Sequence, residues 1–215
     1  LHELADGVYV WIQPGGESGV SNAGVIVDGD GVTIVDTMMV RSQWEPFAEA
    51  VKALDLPMRR IVLTHGHIDH VGGTKAFPHA GVYASPQTSA VLDQHMPIDA
   101  YKTFMSAFED EFDDLAELGT RPATHLIDGA ASLTPRVEVL PASGHTDGDV
   151  LVGISGVHVM HMGDIFFNGS TPFIDLNSGG NLSGMIANLD AVLSFLPEDS
   201  KVIPGHGPVG GKKDV

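Results

Sequence analysis

The run Thr64-His65-Gly66-His67-Ile68-Asp69-His70 follows directly on Arg60-Ile61-Val62-Leu63. The aliphatic stretch reads as a buried strand that ends where the histidines begin. Three imidazoles and one carboxylate within six positions form a metal-ligand pattern, because zinc, iron and manganese all accept nitrogen and carboxylate oxygen. In a tight turn after a strand, side chains two apart, such as His65 and His67, can converge on one ion. Asp69 and His70 then face a second.

Working outward, the same setting recurs. Of the 11 histidines, five stand after a strand, beside glycine: His65, His67, His70, His145 in Ser143-Gly144-His145-Thr146, and His206 in Pro204-Gly205-His206-Gly207. Two acids share it, Asp69 and Asp164 in Met162-Gly163-Asp164. Seven candidate ligands suit two ions about 3.5–4 Å apart, and a carboxylate, Asp164 for preference, is the natural bridge. His2, His79, His95, His125, His158 and His161 lack this setting and read as surface or packing residues. Among them His161 stands out, three positions before Asp164.

Composition narrows the class. The chain has 215 residues, 43% hydrophobic and 7% aromatic, which is a globular composition with an aliphatic core. Its formal net charge of -17 opposes phosphate backbones and anionic membranes, so neither nucleic acid nor membrane is an expected partner. With no cysteine, thiolate nucleophiles and Cys-based metal sites are excluded. No apolar run reaches the ~18 residues of a membrane-spanning helix. The expected compartment is the cytoplasm. A periplasmic or secreted protein stays open, because the chain begins at Leu1 and its N-terminus can have been trimmed. Oligomeric state stays open too.

Short β-branched runs at Val8–Ile12, Ala23–Val27 and Val32–Val35, parted by the turn signals at Pro14-Gly15-Gly16 and Asp28-Gly29-Asp30-Gly31, read as an antiparallel meander. Ser42–Leu54 reads as a helix with Pro46 in its first turn. A strand at Val82–Ala84 leads into a helix from Pro86 to Leu92. Residues 99–118 read as an acidic amphipathic helix, with Phe104, Phe108 and Phe112 packed on the body. Strands recur at Val137–Leu140, Val150–Ile154 and Val157–Met162, a helix at Met185–Leu196, and a last strand at Lys201–Ile203. Strands lead and a helix comes late in each half, which suggests two sheets covered by helices, with the ligands on loops after strands.

Thr64-His65-Gly66-His67-Ile68-Asp69-His70 resembles the signature of the metallo-β-lactamase superfamily. Gly144-His145-Thr146, Gly163-Asp164 and Gly205-His206-Gly207 are similar to its remaining metal motifs, in the family's order, so the resemblance covers nearly the whole chain. It implies one α+β domain over 1–215, a four-layer αββα sandwich of two mixed sheets flanked by helices. It also implies a site at one edge of those sheets. His65, His67 and His145 would hold one zinc (iron or manganese being alternatives), Asp69, His70 and His206 the other, and Asp164 would bridge them. Asp36 in Val35-Asp36-Thr37 would support the ligands.

The implied chemistry is hydrolysis of a small-molecule ester-like bond: a thioester, a lactone or an amide. Water shared by two zinc ions is acidified toward neutrality and attacks a carbonyl carbon, with Asp69 orienting the water. Departures from the family sharpen this. His67 stands where the superfamily's di-iron flavoproteins carry Glu. Asp164 resembles glyoxalase II and lactonases, where β-lactamases carry Cys or Ser. Only nine residues follow His206, fewer than glyoxalase II's glutathione-recognising helical domain needs. The run Phe166–Gly180, just past the bridge, is expected to line the pocket, with Phe166, Phe167 and Asn168 as candidates for its wall. Rival readings are β-lactam hydrolysis, a mononuclear iron dioxygenase acting on a persulfide, and a metal-binding module without turnover.

Overall fold

A computed structural model of the protein describes residues 1–12, 21–93 and 120–215. The helix expected over 99–118 and the turn at Pro14-Gly15-Gly16 lie outside the described residues.

Two sheets stack face to face. The first contains, in spatial and chain order, β1 (His2–Ala5), β2 (Val8–Trp11), β3 (Ala23–Asp28), β4 (Gly31–Val35), β5 (Met58–Val62), β6 (Gly81–Ala84) and β7 (His125–Leu126). Its pairings are antiparallel from β1 to β4 and parallel from β4 to β7. The second is ordered β13 (Gly210–Gly211), β12 (Lys201–His206), β11 (Val159–Phe167), β10 (Asp149–Ile154), β9 (Val137–Ala142) and β8 (Ala131–Ser132). Only its β11–β12 pair is parallel.

Alternation along the strands sorts side chains into three cores. On the outer face of the first sheet, Val25, Ile34, Ile61 and Val82 pack under helix α1 (Arg41–Lys52), which contributes Phe47, Ala48 and Val51. Burying each such large apolar side chain stabilises by about 1.5–3 kcal/mol. Between the sheets lie Val8, Val10, Ile26, Val35, Val62, Val139, Val152 and Ile203. Beyond the second sheet, Leu151, Met160, Met162 and Val202 meet Met185, Val192 and Leu196 on or just past helix α4 (Leu182–Phe195). The layers therefore run helix, sheet, sheet, helix, the expected αββα order.

Several local expectations change. β1 adds an edge strand to the meander, and the helix expected from Pro86 to Leu92 is α3 (Pro86–Asp93). α1 begins at Arg41, so Pro46 is inside the helix rather than in its first turn. α4 starts three residues before Met185, because Asn181 caps it: its side chain accepts from Gly184 N–H at 2.7 Å. The strand expected over Val157–Met162 instead runs Val159–Phe167. Asp164 is therefore inside a strand, and Asp69 and His70 lie in the short helix α2 (Ile68–Val71). Loops alone do not carry the candidate ligands. Strand ends and one helical turn share them, because backbone already held by a ladder aims a side chain with less loss of entropy.

Candidate metal centre

β5 runs into His65 and His67, and α2 turns Asp69 and His70 back beside them. His145 comes from the β9–β10 connection, Asp164 from β11 and His206 from the end of β12. Donor atoms converge in two groups, His65, His67, His145 and Asp164 in one, Asp69, His70 and His206 in the other, each with its atoms within 4.8 Å of one another. Asp164 lies between the groups. Its Oδ1 is 3.2 Å from His70 Nε2. Its Oδ2 is 3.3 Å from both His145 Nε2 and His206 Nε2, and 3.8 Å from His65 Nε2. Asp69 Oδ2 is 3.3 Å from His206 Nε2 and 3.6 Å from His70 Nε2. Close approach of the backbones makes this possible: a Cβ at residue 205 would collide with the Asp164 carboxylate, so Gly205 is required there.

Four of the imidazoles are oriented from behind. His65 Nδ1 donates to Thr64 Oγ1 at 3.0 Å, His70 Nδ1 to Asp36 Oδ2 at 2.7 Å, and His145 Nδ1 to the Phe173 carbonyl at 2.8 Å. His67 is turned the other way, its Nε2 donating to Asp175 Oδ2 at 2.9 Å. With those protons outward, the inward nitrogens present lone pairs. His67 Nδ1 and His145 Nε2 then face each other at 2.9 Å with no proton between them, an arrangement that a cation resolves. His65 Nε2, His70 Nε2 and Asp164 Oδ1 are buried without a hydrogen-bond partner among the described residues. Buried polar atoms are rarely left so. Divalent cations fit this donor set.

Electrostatics agree. Burial opposes charge on every one of these groups. Against it, Asp164, Asp69 and Asp36 hold His70 well above its ordinary value, and Asp164 and Asp69 hold His206 up at about 10. Burial, the charge on His70 and the other neighbouring histidines push His65 down despite Asp164. Burial does the same to His145, again despite Asp164. Burial would raise Asp69 and Asp164, but His70 and His206 keep both well below the usual carboxylate range. Two carboxylates sunk among imidazoles thus demand positive charge from their surroundings.

Asp36, fully buried with φ 61°, is the hub behind the site. It accepts from Thr64 N–H at 2.8 Å, Thr64 Oγ1–H at 2.7 Å and His70 Nδ1. The three pocket candidates separate. Phe166 is buried with Met160, Met162 and Met185 under α4, away from the ligands, because at its place in β11 it faces the helix layer. Phe167 stacks on His206, ring centroids 5.2 Å apart at 12°. Asn168 hydrogen-bonds the Pro208 carbonyl at 2.8 Å and braces the turn after β12.

Three further residues shape the site, Asp175 and Phe173 from the run 166–180 expected along the pocket, and Asp149, which sequence reasoning missed. Asp175 holds His67, and it also accepts from Ser178 Oγ at 2.7 Å and caps the turn at Leu176–Ser178. Those donors outweigh burial and hold its carboxyl down at about 2. Asp149 accepts from His145 N–H and Thr146 N–H and so folds the His145 loop. Phe173, 51% exposed, stands 5.9 Å from the His145 ring and 6.5 Å from that of His67. In sequence, Asp175 and Asp149 are ordinary turn acids. Their partners are 108 and four residues away, and only the shorter spacing leaves a local trace.

Comparison with known proteins follows the same lines. A family model described as the metallo-beta-lactamase superfamily matches residues 16–206. A Bacillus subtilis relative named as a metallo-hydrolase is 29% identical over 161 residues, 74% of this chain and 72% of its own. A Haemophilus influenzae hydroxyacylglutathione hydrolase is 26% identical over 166 residues, 76% and 75% of the two chains. A solved structure of a protein in a di-iron-bound form superposes with a TM-score of 0.71 over 95% of both chains, at 23% identity.

Proposed function

The chain belongs to the metallo-β-lactamase superfamily and is a metal-dependent hydrolase of it, and from that premise we propose that it uses two zinc ions to cleave a small ester-like bond: a thioester, a lactone or an amide. The observation that supports this is the convergence of seven donors in two groups joined by Asp164. His65, His67 and His145 would hold one cation, and Asp69, His70 and His206 the other. Asp164 would touch both. Bound there, the cations would supply acidified water and polarisation of the scissile carbonyl.

The chain's own residues do the rest. Asp69 is partly exposed beside His206, and from there it orients a water by accepting its hydrogen bond. Asp36, Thr64, Asp175 and the Phe173 carbonyl hold the imidazoles so that nothing reorganises during reaction. Phe167 and Phe173 flank the opening and offer an apolar wall to an acyl or leaving group. A thioester is the first substrate class to test, because a hydroxyacylglutathione hydrolase is among the relatives.

Zinc-loaded protein should turn over at least one member of a panel of thioesters, lactones, amides and a chromogenic cephalosporin, and His67→Ala should abolish it. A zinc content well below one per chain after purification without chelator, or a silent panel at full loading, would overturn the proposal.

A further inference from the structure

β11 changes face in mid-strand. Met160 and Met162 point into the helix layer, whereas Val159 and His161 point toward the other sheet, His161 Cδ2 lying against Gly24 of β3. Unbroken alternation would send residue 164 the way of Met160 and Met162. Asp164 instead stands among the histidines. The reversal is a bulge. Register against β12 slips between His161 and Gly163 and again between Gly163 and Phe167, and Gly163 adopts φ 51°. Such bulges re-aim side chains.

The N–H of Gly163 donates to Nδ1 of His161 at 3.2 Å. The imidazole is completely buried. With Nδ1 accepting, the ring proton is on Nε2, and that nitrogen has no hydrogen-bond partner among the described residues. A buried donor left unpaired opposes folding. An aliphatic side chain would avoid that cost but would leave Gly163 N–H without its acceptor.

We infer that His161 is a positioning residue, whose Nδ1 holds the bulge at Gly163 and thereby turns the Asp164 carboxylate from the helix layer into the metal centre. The inference rests on the metal-centre reading above and assigns a role to a residue outside the ligand set.

Three variants separate this role from simple packing. His161→Asn puts an amide oxygen where Nδ1 stood and keeps the acceptor. His161→Gln places its amide near the Nε2 position and loses it. His161→Leu has no acceptor. Zinc affinity is read by competition with a chromophoric chelator, beside the melting temperature of each metal-free protein. The expected result is near wild-type affinity for His161→Asn and about 10- to 100-fold weaker binding for His161→Gln and His161→Leu, without a matching order of melting temperatures. Equal affinities in all four proteins would overturn the inference, as would an Asn variant no better than Gln. Should His161→Leu fail to fold, the Asn–Gln pair decides. A wild-type chain that takes up no zinc would instead overturn the metal-centre reading itself.

Discussion

Asp36 shows how much one buried carboxylate can organise. It fixes Thr64 by backbone and hydroxyl, fixes His70 directly, and reaches His65 through the Thr64 hydroxyl. Removing such a group behind a metal ligand weakens metal binding by about 10- to 100-fold. Asp36→Ala should do so in chelator competition, and an unchanged affinity would remove Asp36 from the account. Phe173 acts on the open side. Phe173→Ala should lower kcat/KM for apolar acyl substrates by about tenfold, the worth of half a buried phenyl group, and leave zinc content intact. His161 makes the pH prediction. Burial lowers it to about 4, against about 6.5 in an unfolded chain, so the unfolded chain holds the extra proton between those values. Stability is full above pH 6.5 and falls as pH drops toward 4, by about 3 kcal/mol from this group. Urea midpoints at pH 7 and pH 4.5 should therefore diverge less in His161→Asn than in wild type.

At the scale of elements, α4 both covers the second sheet and braces the site. Asn181 caps the helix, Asn181 N–H donates to the Gly144 carbonyl at 2.8 Å, and Asn188 Nδ2 donates to the Ser143 carbonyl at 2.7 Å. The helix thereby sets the loop that carries His145. Asn181→Ala should cost about 1 kcal/mol, measured by thermal melting, and should weaken zinc binding less than Asp36→Ala does. No change in melting would show that the cap contributes nothing. Helix α4 was legible from Ile186, Leu189, Val192 and Leu196, but its start was not, because a cap is a single hydrogen bond and periodicity does not report it. β11 was legible only in its first half. Val159 to Met162 alternate, and the bulge at Gly163 then breaks the rule by which a strand is recognised.

Across the whole molecule, both sheets and the short helix α2 send donors to one edge, so occupancy of that edge and stability of the sandwich are coupled. A cation present at 1,000 times its dissociation constant adds about 4 kcal/mol to the folded state. Chelation should lower the unfolding midpoint of metal-replete protein, as read by calorimetry, and restored zinc should raise it again. A midpoint indifferent to chelator, with metal shown to be removed, would mean that the donors are held in place without help.

The sequence by itself determined the class of the fold and the identity of the candidate ligands. Hydrophobic alternation and helical stripes are local patterns, and imidazole next to glycine at a strand end is local too. What only the tertiary structure decided is how those side chains are held. Asp175 meets His67 across 108 residues, the Phe173 carbonyl meets His145 across 28, and Phe166 packs under α4 while Phe167 stacks on His206. These depend on which strands become neighbours and on a slip of register at Gly163. Register is set by the packing of two faces at once, and a side chain's neighbours in space leave no mark on its neighbours in sequence.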